Sequence, residues 1–446
     1  MGQRLVVIGG DAGGMTAAAH ARRHDGDLDI VALEKTQWVS YSACGIPYLV
    51  AGDIEQLEDL VARTPQEFRD RHKIDVRLRH EAVSIDTDAG LIEVRDHEHG
   101  RTVRVPYDQL VVATGARPRR PDIPGVNGET VLGVQTLDDA QRLLERTQRA
   151  AVREVVVVGG GYIGLEMAES YLRLGAKVTV VDRAPEIMGS LDPDMAALVR
   201  TAMVRHGIDV RCGSPVDAFE PGSVHLESGD TVNADLVVLG MGVEPNSQLA
   251  ADAGVETGVK GAIRVNARLQ TSVDGIWAAG DCTESFHLVS RKGVHIPLGT
   301  VANRQARVAG INLGGGYATF PGVVGTAVTK LCATEVARTG LNEREAAAAG
   351  LGYVVGRIKA KTQAGYLPEA RPIVVKMLAE RGTGRILGAQ LVGEEGAGKR
   401  IDAVAVALSA GFTVEDLVNA DLAYAPPFSP LWDPIQVAAR KALALL

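Results

Sequence analysis

The sequence is poor in cysteine, in aromatic residues and in positive charge. Its 446 residues hold four cysteines, at positions 44, 212, 282 and 332, and none forms a CxxC pair or a ligand cluster. That spacing argues against a disulfide framework or a zinc site and points to a reducing cytoplasm. Acidic residues outnumber basic ones by 55 to 47, a net charge of −8, so nucleic acid is not an expected partner. No uninterrupted apolar run approaches the roughly 18 residues of a membrane span. The run near the N-terminus extends only from Leu5 to Ile8 and ends in glycines, which reads as a buried strand rather than a signal peptide. Val6 stands where a myristoylation motif wants Ser or Thr. Glycine, by contrast, is abundant at 51 residues, which suits many tight strand-to-helix turns. The length allows about two to four domains.

One cysteine lies in a distinctive stretch, Val39-Ser-Tyr-Ser-Ala-Cys44-Gly-Ile-Pro47-Tyr48. Pro47 suits the first turn of a helix. A helix starting there would aim its unpaired N–H groups at the Cys44 sulfur, lowering the thiol pKa and holding a reactive thiolate. A lone cysteine is more often a small buried hydrophobe; its neighbours in the chain favour the reactive reading.

Leu5–Ile8 runs into Gly9-Gly10-Asp11-Ala12-Gly13-Gly14, then a helical stretch from Met15 to Arg23 and a strand, Ile30–Leu33, closing on Glu34. Strand, glycine turn, helix, strand and terminal acid are the parts of a dinucleotide site: the turn admits a pyrophosphate to the helix N-terminus and the acid suits a ribose. Asp11 replaces the second glycine of GxGxxG. The pattern returns complete in Val155–Val158, Gly159-Gly-Gly161-Tyr162-Ile163-Gly164, a helix over Leu165–Leu174 and the strand Val178–Val181 closing on Asp182. Asp182 favours NADH, because a carboxylate repels a 2′-phosphate; Arg183 beside it could admit NADPH. Strands ending in turns follow each unit, at Leu110–Thr114-Gly115 and at Leu236–Gly240-Met-Gly242. Another ends in Gly280-Asp281, placing a carboxylate for a hydroxylated ligand or as the cap of a following helix. From about Gly325 the pattern changes to strand-like runs (Gly352–Ile358, Ile373–Leu378, Gly388–Val392), a helix over Ala397–Ala410 and a rigid aromatic segment from Leu422 to Pro434.

Together these motifs resemble, over essentially the whole chain, the FAD-dependent pyridine nucleotide–disulfide oxidoreductases. A single cysteine in Ser40-Tyr-Ser-Ala-Cys44-Gly-Ile-Pro resembles their one-cysteine branch, which holds coenzyme A disulfide reductase, NADH oxidase, NADH peroxidase and polysulfide or persulfide reductases. The places five residues away hold Val39 and Leu49, so no internal disulfide forms at that spacing. The resemblance implies an α/β fold: two Rossmann-like dinucleotide-binding domains, FAD over 1–120 and 246–324 and NAD(P)H over 121–245, plus a C-terminal α+β dimerisation domain over 325–446. It implies FAD contacts at Gly9, Gly10, Ala12, Gly13, Gly14, Glu34, Lys35, Val83, Ala113, Thr114, Gly115, Gly280, Asp281, Leu298, Gly299, Thr300, Ala302 and Phe428. It implies NADH or NADPH contacts at Gly159, Gly161, Tyr162, Ile163, Gly164, Glu166, Asp182, Arg183 and Gly242, with Tyr162 gating the nicotinamide.

Cys44 is the implied nucleophile, carrying a mixed disulfide or a sulfenic acid. Tyr424, with Phe428, would reach it from the other subunit of a homodimer. Ala12 stands where oxidase and peroxidase members carry a histidine, which favours a small disulfide or persulfide substrate. Thr16, Arg23 and Ser40 match substrate positions of coenzyme A disulfide reductase. Ala43, His72, Asn303 and Trp432 depart from its pattern, and fewer cations predict a weaker hold on coenzyme A. An oxidase or peroxidase is the alternative within the branch; a flavin-bound NADH sensor is the alternative outside it.

Overall fold

The computed structural model describes residues 2–149 and 152–446. It contains the same α/β unit twice. In the first, five parallel strands lie in the order Ile276–Ala278, Gln109–Val112, Arg4–Ile8, Asp29–Leu33, Ile74–Arg77. In the second the order is Asp209–Arg211, Lys177–Val181, Glu154–Val158, Leu236–Leu239, Val131–Gly133. The four valines of Glu154–Val158 are all buried. They form a continuous apolar run without alternation, as a strand covered on both faces requires. Each unit also carries an antiparallel three-stranded meander, over His80–Pro106 and Val216–Ala234.

The chain passes from the first unit to the second through Ala116–Pro118 and returns through Val243–Pro245, and these two segments pair antiparallel. The first helix, Ala12–His24, packs on Gly299–Leu313 through small residues. A Cβ on Gly310 would collide with the Ala17 carbonyl, so only glycine allows the two helices this approach.

The third layer is an antiparallel sheet ordered Ala327–Leu331, Thr334–Gly340, Ile386–Gly393, Pro372–Glu380, Tyr353–Lys361. Its first two strands were not foreseen, nor was the closing helix Pro434–Leu443. This sheet grips the second unit through Lys376, whose buried ammonium lies 3.1 Å from Asp192, 2.7 Å from Asp194 and 2.5 Å from Glu343. Gln390 donates to Asp192 at 2.7 Å and accepts from its N–H at 2.8 Å. The lysine is the buried cation of this acidic cluster, and Arg357 pairs with Asp194 at 2.8 Å from its side.

Both dinucleotide helices start earlier than expected, at Ala12 and Tyr162, inside the glycine turns themselves. The expected helix over Ala397–Ala410 begins as a 3₁₀ turn, Gly398–Arg400, before Ile401–Ala410. Asp281 caps no helix: a turn and a short hairpin, Ser285–Phe286 with Gly293–Val294, follow it.

Candidate active site

The two glycine turns are built alike. Gly9 and Gly159 take φ of +113° and +103°. A Cβ on Gly14 or Gly164 would collide with the carbonyl of Gly9 or Gly159. The acid ending the second strand ties each turn down. Glu34 Oε2 accepts the Gly10 N–H at 2.8 Å and Oε1 the Thr36 N–H at 2.8 Å. Asp182 Oδ2 accepts the Gly160 N–H and Oδ1 the Ala184 N–H, each at 2.8 Å. Each cradle thus joins a helix N-terminus, which suits a diphosphate, to a fixed carboxylate, which suits a ribose. These donor sets fit FAD and NAD(P)H.

Around the first cradle the structure gathers most of the expected flavin contacts. Gly13 lies against the Ala279 carbonyl and near Ala113. Thr114 donates to the Asn246 carbonyl at 2.5 Å and Gly115 takes φ of +67°. Gly280, with φ of +91°, faces Ala302 at the start of the helix Gly299–Leu313, which Leu298 precedes and which includes Thr300. Burial pushes the Asp281 carboxyl up to about 6. Val83 sits at the bulge of the first meander, and Lys35 is exposed beyond Glu34. In the second cradle the Tyr162 hydroxyl accepts from Ser190 at 3.4 Å, Arg183 is exposed, Ile163 lies in the helix, and Gly242 takes φ of +81° after Leu236–Leu239.

Cys44 lies in the 3₁₀ turn Ala43–Gly45, ahead of a helix of five residues, Ile46–Val50, with Pro47 in its first turn. The expected thiolate-stabilising helix is therefore too short to dominate. Cys44 is exposed in the single chain, yet the surrounding protein desolvates its thiol, and that burial pushes it up; Glu166, Asp281 and Asp11 push the same way, while a backbone N–H opposes them. The protein's own groups thus raise the thiol pKa, the opposite of the sequence expectation. Glu166 is itself raised by burial and accepts from Thr329 of the third layer at 2.8 Å.

Of the expected substrate residues, Thr16 and Arg23 lie along the first helix and Ser40 in the loop ahead of Cys44. Thr16 donates to Asn303 at 2.7 Å, so the position that departs from the branch pattern lies against an expected substrate residue. Burial lowers the His20 pKa, and Arg23, Arg307 and His24 add to that; burial lowers His72 likewise, with Arg63, Arg23 and Arg71. Arg23 thus stands among cations, with no carboxylate partner among the described residues. Ser40 takes φ of +50°, and its N–H donates to the Gly10 carbonyl at 2.8 Å. His20 and Arg307 were missed. The spacing of Thr16, His20 and Arg23, i, i+4 and i+7 on an otherwise small-residue helix, was the available signal. Tyr424 and Phe428 are 47% and 77% exposed, and Leu431 and Trp432 beside them are 71% and 46% exposed. The Arg440 guanidinium lies 5.0 Å from the Trp432 ring centre, a cation–π contact.

Two dinucleotide cradles with a thiol between them define a flavin- and pyridine-nucleotide-dependent oxidoreductase. The chain belongs to the pyridine nucleotide-disulphide oxidoreductase family: residues 3–306 match its model, and residues 326–434 match the model of the family's dimerisation domain. It is 40% identical over 441 residues to a CoA-dependent NAD(P)H sulfur oxidoreductase of Pyrococcus abyssi, covering 98% of this chain and 97% of that one. It is 30% identical over 440 residues to a coenzyme A disulfide reductase of Staphylococcus epidermidis, covering 98% and 99%. The crystal structure of reduced Bacillus anthracis CoADR-RHD superposes with a TM-score of 0.97 at 35% identity, covering all of this chain and 81% of that one. Among the described residues no helix is long and apolar enough to cross a membrane.

Proposed function

We propose that the protein uses NADH or NADPH, with FAD bound, to reduce a low-molecular-weight disulfide or persulfide through Cys44, and that coenzyme A disulfide is the best-fitting substrate. The observation that carries this reading is the pair of arginines, Arg23 and Arg307, that act on a neutral His20 beside Thr16 and Asn303, with no carboxylate partner for Arg23 among the described residues. Such a pair suits the phosphates of a polyanionic thiol. The charged groups acting most strongly on Cys44 are carboxyls, which gives a peroxide no imidazole partner there.

The chemistry is divided. Cys44, as thiolate, attacks one sulfur of the disulfide, forming a mixed disulfide and releasing the other sulfur as a thiolate. Two electrons originating in the pyridine nucleotide then cleave that mixed disulfide, freeing the second thiol and restoring Cys44. Bound FAD supplies the two-electron relay between nicotinamide and sulfur. Glu34 and Asp281 would hold FAD hydroxyls, and Asp182 the NADH ribose. The flavin unit would comprise 1–120 and 246–324, the nucleotide unit 121–245. The exposed Tyr424, Phe428 and Leu431 suit burial against a second subunit of a homodimer.

Two variants test this. Cys44→Ser should retain FAD while NADH-dependent disulfide turnover falls to background; unchanged turnover would remove Cys44 from the reaction. Arg23→Glu should raise KM for coenzyme A disulfide by about tenfold or more, roughly 1.4 kcal/mol. KM for the uncharged hydroxyethyl disulfide should stay within about twofold. An equal effect on both substrates would exclude a phosphate-reading groove and with it coenzyme A.

A further inference from the structure

Asp11 occupies the position that Gly161 holds in the second cradle. A Cβ at Gly161 would meet nothing closer than the Gly240 carbonyl at 4.0 Å, so this corner of the turn has room for a side chain. Asp11 precedes the first helix, yet its carboxylate does not cap it. Its Oδ1 instead accepts the Tyr41 N–H at 3.1 Å. The neighbouring Ser40 N–H donates to the Gly10 carbonyl at 2.8 Å. From the other side Ala62 N–H donates to the Ser40 carbonyl at 2.7 Å and Ser42 N–H to the Leu60 carbonyl at 2.8 Å. Cys44 follows three residues after Tyr41. The thiol-bearing turn thus hangs from the glycine turn by two successive N–H groups, and one of them depends on the Asp11 carboxyl.

That carboxyl sits in an unfavourable place for a charge. Burial pushes it up to about 7; Glu34, from the end of its strand, and Asp281, from the turn after Ile276–Ala278, add to this, and the N–H groups of Tyr41 and Ala12 oppose it. Tyr41 and Cys44, on the thiol-bearing turn, are the other titratable groups facing it, and its negative charge raises both. A diphosphate docking at the N-terminus of the first helix brings further negative charge to the same spot.

We propose that Asp11 is a positioning residue that couples flavin binding to the placement of Cys44: it takes up one proton from solvent as FAD docks, and as a neutral acceptor it holds Tyr41 and hence the thiol-bearing turn. The sign follows from linkage. Below about pH 7 the carboxyl is already protonated and adds no pH dependence. Above that, each pH unit weakens FAD binding by up to about tenfold, the limit for one proton.

The test uses the holoenzyme without any disulfide present. FAD release on dilution is followed by flavin fluorescence from pH 6 to 9 for wild type, Asp11→Asn and Asp11→Ala. Iodoacetamide labelling of Cys44 is timed in the same NADH-reduced samples. Above about pH 7, where Asp281, at about 6, is already ionised, wild type should lose FAD affinity with pH while Asp11→Asn should be flat. Asparagine keeps an oxygen for the Tyr41 N–H, so its labelling rate should stay within about threefold of wild type, whereas Asp11→Ala should shift it by about tenfold. The same pH slope in Asp11→Asn, or an alanine variant that labels like wild type, overturns the proposal. Where Asp11→Ala holds no FAD at all, the slope of Asp11→Asn decides.

Discussion

Glu166 is the charged group that acts most strongly on Cys44 and also the carboxyl that Thr329 holds from the third layer. A carboxylate near a thiol disfavours the thiolate, so the pH at which Cys44 becomes reactive should lie above the usual thiol range in FAD-free protein. Replacing Glu166 by glutamine keeps an acceptor for Thr329 and removes the charge. The midpoint of Cys44 alkylation against pH should then move down. An unchanged midpoint would mean that burial, with Asp281 and Asp11, sets it. The stretch around Cys44 identified the sulfur, but it could not reveal these carboxyls. Asp11, Glu166 and Asp281 come from three separate turns and helices, and only the folded chain brings them to one place.

At the scale of elements, the duplicated cradle was the most legible part of the fold. Four consecutive valines, a glycine turn and a terminal acid leave little freedom of interpretation, because a strand buried on both faces tolerates no alternation. The meanders over His80–Pro106 and Val216–Ala234 escaped notice. His80–Asp86 has no fully buried residue, and although Leu91–Asp96 and Thr231–Ala234 alternate buried and open positions, they do so over too few residues to stand out. The basic stripe was half legible. Thr16 and Arg23 matched a known pattern, while Asn303 lies 287 residues from the Thr16 it touches. The cradles also carry a prediction. Asp182 is fixed by two backbone N–H groups, with exposed Arg183 beside it. Asp182→Ala should therefore shift the NADH-to-NADPH ratio of kcat/KM toward NADPH by about tenfold or more. An unmoved ratio would show that this acid does not read the ribose.

For the whole molecule, the joint that matters is the one Lys376 makes between the second unit and the C-terminal sheet. Asp192 and Lys376 are both buried, at 2% and 3% exposure, so removing the cation strands a charge in the interior. Lys376→Met should cost about 3–5 kcal/mol of stability in chemical unfolding, and adding Asp192→Asn should recover part of it. The lysine pKa is raised, against the pull of burial, by Asp194, Glu343 and Asp192. Its contribution is therefore complete below the unfolded lysine value and is lost only as the pH climbs through the higher folded value. No stretch of sequence announced this joint, since its partners come from the segments around 192, 343, 376 and 390.

The paired segments Ala116–Pro118 and Val243–Pro245 set Pro118 directly opposite Val243. The unit that holds the second glycine cradle therefore begins and ends at adjacent points, like a cassette with both leads on one edge. Cutting at those two points and splicing in the corresponding stretch of a relative with another coenzyme preference would exchange the electron donor while leaving the thiol and its basic stripe in their original scaffold.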